Sequence, residues 1–387
     1  MPLFLAVTLL VLGCQAQMHQ DLNDTLPFIE EIFSTTKQPL TTEIDKQCNT
    51  EKQEPGKCVK PSECSDTNEI DLDNLDVYRG LSCSYLKLCC PISRLISEKQ
   101  PITPLMPQKK PGCGWSNPGG YSFRDSSNSH AEFGEFPWMV AMMRKIDDSQ
   151  VWDQKDFLGG GTLIHHSVVM TAAHKLRPVR FNASKVKCRL GEWDTQHTDE
   201  IYPHQDRDVR KIIAHENFSG KTSANNIALL ITATPFDLTD PHVGIACLDY
   251  NEPAPGTSCF SMGWGKDFNK QNAYAVWLKK VPLPIVGSPN CEYDLQRSRL
   301  GSNYRLHNTL LCAGGQKNFD TCTGDGGSPL VCPISVQGTK RYAVYGMVAF
   351  GIECATTLPG VYVNVPTMLD WIKLKFSEEE LDMSFFA

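Results

Sequence analysis

The sequence predicts an all-β protein with a small cystine-rich unit in front of it. Three observations carry this. From about residue 113 onward, short β-branched runs alternate with Gly, Asn, Asp and Pro: GGGTLIHHSVVMTA, VKCRLGEWD, VRKIIAHENF, NIALLITATPF, VYGMVAFGI and GVYVNV. Short strands separated by turn residues are the pattern of a β-sandwich or barrel. One amphipathic helix is expected, at PTMLDWIKLKF over 366–376, where Met368, Leu369, Ile372 and Phe376 fall near helical spacing. Six cysteines crowd into residues 48–90. A piece that short buries little core, so disulfides must staple it.

The elements follow in order. Residues 1–16, MPLFLAVTLLVLGCQA, run apolar and then small, with Cys14 and Ala16 at the two positions a signal peptidase reads, so cleavage is expected after Ala16. A bilayer span needs about 20 apolar residues, and no such run is found, so no membrane span is expected. Residues 17–47 are polar and read as a mobile segment. Cys48, Cys58, Cys64, Cys83, Cys89 and Cys90 fill 48–90, and their pairing is open on sequence alone. Residues 91–124 begin rich in Pro and Lys and read as a semi-rigid exposed linker. Arg94, Lys99, Lys109 and Lys110 make it either a target for trypsin-like cleavage, with Arg94 the chosen bond, or a passive spacer. The main domain is set at 125–376, and SEEELDMSFFA over 377–387 is expected to be a loose acidic tail.

A chain of 387 residues suggests two domains. The net charge of −7 and the lack of a basic stripe argue against nucleic-acid binding. Sixteen cysteines, with sequons at Asn23, Asn182 and Asn217, fit an oxidising, extracellular compartment.

Five motifs then occur in order: TAAH at 171–174, NNIALL at 225–230, GWG at 263–265, CTGDGGSPLVC at 322–332 and PGVYVNV at 359–365. Together they resemble the chymotrypsin-like serine proteases. The resemblance implies a double β-barrel with a C-terminal helix. Such enzymes need a serine made nucleophilic by a histidine, and a carboxylate that orients the histidine. The family's TAAHC is TAAHK here, which puts His174 at the base position. NDIALL is NNIALL, so Asn226 replaces the carboxylate, and an amide tends to favour the wrong imidazole tautomer. GDSGG is GDGGS, so Gly326 stands where the nucleophile belongs. Ser328 lies two residues on, a displacement on the order of 5 Å along a partly extended chain. Attack needs contacts of about 3–3.5 Å.

The resemblance bears on the surrounding residues too. Active members begin with an apolar IVGG-type terminus after cleavage. Here Arg124 precedes DSSN, so the new terminus would be Asp125, too polar to insert. Its salt bridge to Asp325 should be missing and the turn around Asp325 left without that support. The specificity pocket retains Asp320, with Gly351 and Gly360 as its walls. The implied disulfides are Cys113–Cys247, Cys259–Cys332, Cys291–Cys312 and Cys322–Cys354. The bridge beside the histidine is replaced by Gly159 and Lys175. Cys188 is left over, either buried and free or pairing between molecules.

The front block, spaced C-x9-C-x5-C-x18-C-x5-CC, resembles an arthropod clip domain. That implies Cys48–Cys89, Cys58–Cys83 and Cys64–Cys90. GEFPWMV, GEWDTQ and DTCTGDGGSPLVCP resemble the clip-domain serine protease homologues of prophenoloxidase-activating-factor and masquerade type. The implied role is a secreted, non-catalytic cofactor of haemolymph melanisation. Its implied partners are prophenoloxidase or the protease that activates it, and an upstream protease would cut it; a homo-oligomer stays open. The other readings are a weak trypsin-like hydrolase with a non-standard nucleophile, and a module that recognises microbial surfaces. GEWDTQHTDE lies where some members of the family bind calcium, with Glu192, Asp194, Asp199 and Glu200 as hard oxygen donors. The alternative there is a solvated acidic loop. No other cofactor is expected.

Overall fold

The computed structural model describes residues 47–49, 54–59, 88–95, 111–117, 130–146, 152–196, 202–267, 273–316, 321–352 and 356–386. The signal segment, Asn23, Cys64, Cys83, Arg124, Asp125, Asp199, Glu200, Asp320 and Cys354 lie outside them.

The front unit is a three-stranded antiparallel sheet of β1 (Gln47–Asn49), β2 (Pro55–Val59) and β3 (Leu88–Pro91). The Cys48–Cys89 disulfide ties its two outer strands, as the clip resemblance implied. Cys58 and Cys90 are also disulfide-bonded. Arg94 closes a short 3₁₀ turn directly after β3.

The linker end is fastened by Cys113–Cys247. Gly114 adds a backbone pair, donating to Ile245 at 2.7 Å and accepting from Tyr342 at 2.8 Å.

Two barrels follow. The first is closed by β4 (Met139–Arg144), β5 (Phe157–His165), β6 (Val168–Thr171), β7 (Val186–Leu190), β8 (Gln205–Ala214) and β9 (Ala228–Thr232), in ring order β4-β5-β6-β9-β8-β7. A short β10 (Cys247–Leu248) leads to the second barrel. Its strands are β11 (Ser258–Gly263), β14 (Lys279–Val286), β15 (Leu310–Gly314), β16 (Pro329–Val336), β17 (Thr339–Phe350) and β18 (Pro359–Asn364). Between β11 and β14 lies the small pair β12 (Lys266–Asp267) and β13 (Ala273–Tyr274). The second ring runs β17-β16-β11-β14-β15-β18 and closes through β17–β18. The predicted runs become strands because their apolar residues pack inward. All five residues of β9 are buried, and Trp138 and Trp264 are fully enclosed.

The glycine run of β5 explains how the barrels meet. The Gly160 N–H donates to the Gly326 carbonyl at 3.0 Å. A Cβ on Gly160 would collide with Ser328 Oγ. Only glycine lets the two backbones approach this closely.

Two features depart from expectation. The helix α1 (Ser288–Gln296) was missed, because only Cys291 and Leu295 are buried and no apolar stripe marks it. Its Ser-Pro start was the available signal. The predicted helix is present as a 3₁₀ turn at Pro366–Met368 continuing into α2 (Leu369–Glu378), which buries Leu369, Ile372 and Phe376. The tail beyond it, expected to be loose, is docked. Phe385 packs its ring 4.6 Å from His165, Phe386 packs 5.0 Å from Phe376, and Leu248 donates to the Phe386 carbonyl at 3.1 Å. Aromatic burial outweighed the acidic composition that suggested a free end.

Cys259–Cys332 and Cys291–Cys312 form as implied, and Cys322 is bridged. Cys188 is free and fully buried on β7, which removes the intermolecular option. Asn182 and Asn217 are both exposed. No helix among the described residues is long and apolar enough to cross a membrane. Burial, with Asp206 nearby, pushes the Cys188 thiol well above its ordinary value, so it should be inert. Maleimide treatment followed by mass spectrometry should label Cys188 only after denaturation; labelling in the native protein would contradict this packing.

Candidate functional site

The chain leaves β6 at Thr171 and enters a 3₁₀ turn, Ala173–Val179, that carries His174 and Lys175. Asn226 lies two residues before β9, after Asn225, whose φ of 50° asparagine tolerates. Asn226 is fully buried. Its Oδ1 accepts the His174 backbone N–H at 2.9 Å. Its Nδ2 faces the ring and donates to His174 Nδ1 at 3.0 Å, a shorter contact than the 3.4 Å from Nδ1 to Oδ1 that the other tautomer would use. Turning the amide over would set an NH2 against a backbone N–H, donor against donor. With Nδ1 accepting, the ring proton sits on Nε2, the opposite of what a general base needs. Burial first, and then the Lys175 charge, lowers His174 to about 4, so the ring is neutral at pH 7.

At Gly326 no side chain exists to attack a carbonyl. The vacated space is bordered by new groups. A Cβ built there would lie 3.0 Å from His174 Nε2 and 2.7 Å from Lys175 Cδ. The lysine stem continues to Gly159, where a Cβ would collide with Cε. Lys175 thus fills the ground of the missing disulfide and crosses the nucleophile's position. Ser328 is fully buried at the barrel junction, and its Oγ has no hydrogen-bond partner among the described residues, His174 included.

The turn around Asp325 has a support that the sequence reading did not foresee. Lys279, the first residue of β14, reaches Asp325 Oδ2 at 2.9 Å, with both side chains almost wholly enclosed. The same ammonium donates to the Lys266 carbonyl at 3.0 Å. Asp325 also accepts N–H groups from Gly265 at 2.8 Å and Cys322 at 2.9 Å. The expected loss of a terminal salt bridge therefore does not leave this turn unsupported: a side-chain ammonium takes the place of an N-terminal one. The signal was a tandem lysine in the otherwise apolar run VWLKKVPLPIV.

The remaining sequence candidates are scattered. Gly351 is exposed with nothing within 4 Å of an added Cβ, and Gly360 is buried in β18. For calcium, two of the proposed donors are described, and both are engaged. Glu192 accepts from Arg189 at 3.1 Å and from the Trp193 N–H at 3.1 Å. Asp194 accepts from Trp277 at 2.8 Å and the Gln196 N–H at 2.9 Å. No group of three or more metal-ligating side chains is found among the described residues.

Two predictions follow from these charges. Lys279→Met leaves Asp325 buried without its cation and should cost about 3–5 kcal/mol, read by urea denaturation. Burial also holds His165 and His204 near 4, alongside His174. The unfolded chain protonates these rings near pH 6.5. Their contribution is therefore present above that value and lost as pH falls toward 4. Urea midpoints at pH 7, 5.5 and 4 should decline in that order.

Residues 126–372 match the trypsin family. The chain is 44% identical over 302 residues to phenoloxidase-activating factor 2 of Galleria mellonella, covering 75% of this chain and 98% of that one. It is 36% identical over 298 residues to inactive CLIP domain-containing serine protease A8 of Anopheles gambiae, covering 74% and 77%. It is 35% identical over 329 residues to A28 of the same mosquito, covering 82% of each. With two antiparallel barrels, the degenerate triad positions and this similarity in hand, the chain belongs to the trypsin family, as a clip-domain serine protease homologue.

Proposed function

We propose that the protein is a secreted, catalytically silent cofactor in prophenoloxidase activation, switched by limited proteolysis. The observation that carries the silent part is the Lys175 stem lying across Gly326. It occupies the ground a nucleophile would need, beside an imidazole whose exposed nitrogen holds a proton. The names of the relatives support the pathway: one is a phenoloxidase-activating factor and two are inactive clip-domain proteases. Disulfides in both the front sheet and the second barrel support an extracellular setting. The partners in this reading are prophenoloxidase or its activating protease, with an upstream protease cutting near the linker.

The cofactor role is tested by adding purified, cleaved protein to prophenoloxidase and its activating protease. Phenoloxidase activity should rise with cofactor concentration, and a flat response overturns the role. The silent cleft is tested separately with a fluorophosphonate probe. No covalent labelling is expected in the native chain. None is expected in Gly326→Ser either, because Asn226 donates to His174 Nδ1 and leaves no lone pair on Nε2 to take the serine proton. Labelling that disappears in Ser328→Ala would reinstate a hydrolase.

A further inference from the structure

The tail over residues 379–386 joins three parts of the fold. The Leu381 N–H donates to the Phe376 carbonyl at 2.9 Å, which ties the tail back to α2. A short 3₁₀ turn, Met383–Phe385, then starts at Asp382. The Asp382 carboxylate caps it, accepting the Ser384 N–H at 2.9 Å and the Ser384 hydroxyl at 2.7 Å. Phe385 stands T-shaped against two imidazoles: His165, the last residue of β5, at 4.6 Å, and His166 at 5.1 Å. Phe386 is buried and stands at 90° to Phe376 of α2, 5.0 Å away. Its carbonyl accepts the Leu248 N–H of β10 at 3.1 Å. The first barrel, the strand that leads into the second, and the last helix therefore all meet on the tail.

The two imidazoles under Phe385 are packed as neutral rings. Their centroids are 3.9 Å apart, and His165 is 2% exposed. His165 Nδ1 accepts the Ser167 backbone N–H at 3.2 Å. A second ring proton would set donor against donor there. A charge on either ring would also lie beside the other ring, out of water. The carboxylate that bears on both rings is Asp382, and it belongs to the tail itself. Charged groups on the neighbouring elements are engaged elsewhere: Glu379 with Lys211, Lys375 with Glu216 and Glu378, and Asp249 with Tyr345. Arg207 lies over Phe236, whose N–H holds the His166 carbonyl at 2.7 Å. Burial outweighs Asp382 at both rings; with His166 beside it, His165 is lowered to about 4, and His166 falls below its ordinary value.

We propose that the tail 379–386 is an acid-released strap: it is docked while His165 and His166 are neutral, and it lifts when they take up protons, with both barrels still folded. Histidine is the side chain whose ordinary value lies nearest neutral pH. Lifting Phe385 gives the charged rings water at the cost of one short turn, whereas unfolding a barrel would cost its whole core. The docked rings bind protons less readily than free ones, which take them up near pH 6.5. The docking they support is therefore complete above that value and lost as pH falls toward 4. Release uncovers Phe376 and leaves the Leu248 N–H without its acceptor, so the lifted state presents apolar surface beside a free strand donor.

The test is amide hydrogen exchange of the full chain at pH 7.5, 6 and 5, read as protection factors so that the intrinsic pH dependence of exchange is removed. Protection of 381–386 and of the Leu248 amide should fall by about tenfold between pH 7.5 and 5, with about thirtyfold the limit if lifting returns His165 to its ordinary value. Amides of β9, which open with the barrel, should stay better protected than the tail at every pH. The double variant His165→Asn, His166→Asn should flatten the fall, since asparagine oxygen can take the Ser167 N–H but cannot take a proton. Asp382→Asn still caps Ser384 and removes the one opposing charge, so the strap should lift at a higher pH. Melting curves identify any variant that misfolds, and the comparison of tail with β9 needs no variant. Equal protection of tail and β9 at each pH overturns the proposal, because the strap would then not move by itself. So does tail protection that holds or rises as pH falls, the result expected if a charged imidazole binds the Phe385 ring. An undiminished fall in a natively folded double variant overturns it as well.

Discussion

The geometry of the cleft depends on one buried ion pair, Lys279–Asp325. Two enclosed charges are expensive to desolvate, and the cost is met only when the remaining lone pairs and protons are satisfied. Here they largely are: the carboxylate takes two backbone N–H groups besides the ammonium, and the ammonium takes a backbone carbonyl. The pair clamps the start of β14 to the 322–326 turn, and through that turn it positions Gly324 and Gly326. No chain terminus needs to be generated for the clamp to close. In this molecule the shape of the cleft and the state of the linker are thereby separate matters.

The substitutions around His174 form a coherent set rather than scattered damage. Removing a disulfide partner from β5 leaves Gly159, and the lysine that replaces the other partner fills the gap with its stem. That stem would obstruct a serine at Gly326, where none exists. Asn226 retains the bond to the His174 backbone that a carboxylate would make, so the 3₁₀ turn is still anchored. What is lost is only the acceptor toward the ring. Architecture and chemistry have been uncoupled at the scale of single atoms.

Much of this could be read in the sequence, and the exceptions have physical causes. The barrels were legible because β-branched runs and turn residues alternate from TLIHHSVVMTA to GVYVNV. His174, Asn226 and Gly326 were legible because each sits in a motif of fixed spacing. Lys279 was not, because a lysine at the head of a strand reads as a solvated side chain until its partner, 46 residues away, is placed beside it. The tail misled for the opposite reason: its charges were visible, while Phe385 is received by His165, distant in the chain, and Phe386 by Phe376 of the preceding helix. The role of Lys175 needed three dimensions, since its neighbours Gly159 and Gly326 lie far from it in sequence and far from each other.

The Cys113–Cys247 bridge sets what a cut in the linker can accomplish. A chain severed between Cys113 and the first barrel would still be one covalent molecule, its front unit tethered at a single point beside β10. A chain severed before Cys113 would lose that tether altogether. On a gel the first would run as a single band until reduced. In solution the first leaves the front unit attached where it already was, through Cys113, and frees only the stretch that follows that cysteine. The position of the cut relative to one cysteine thus decides between retention and release.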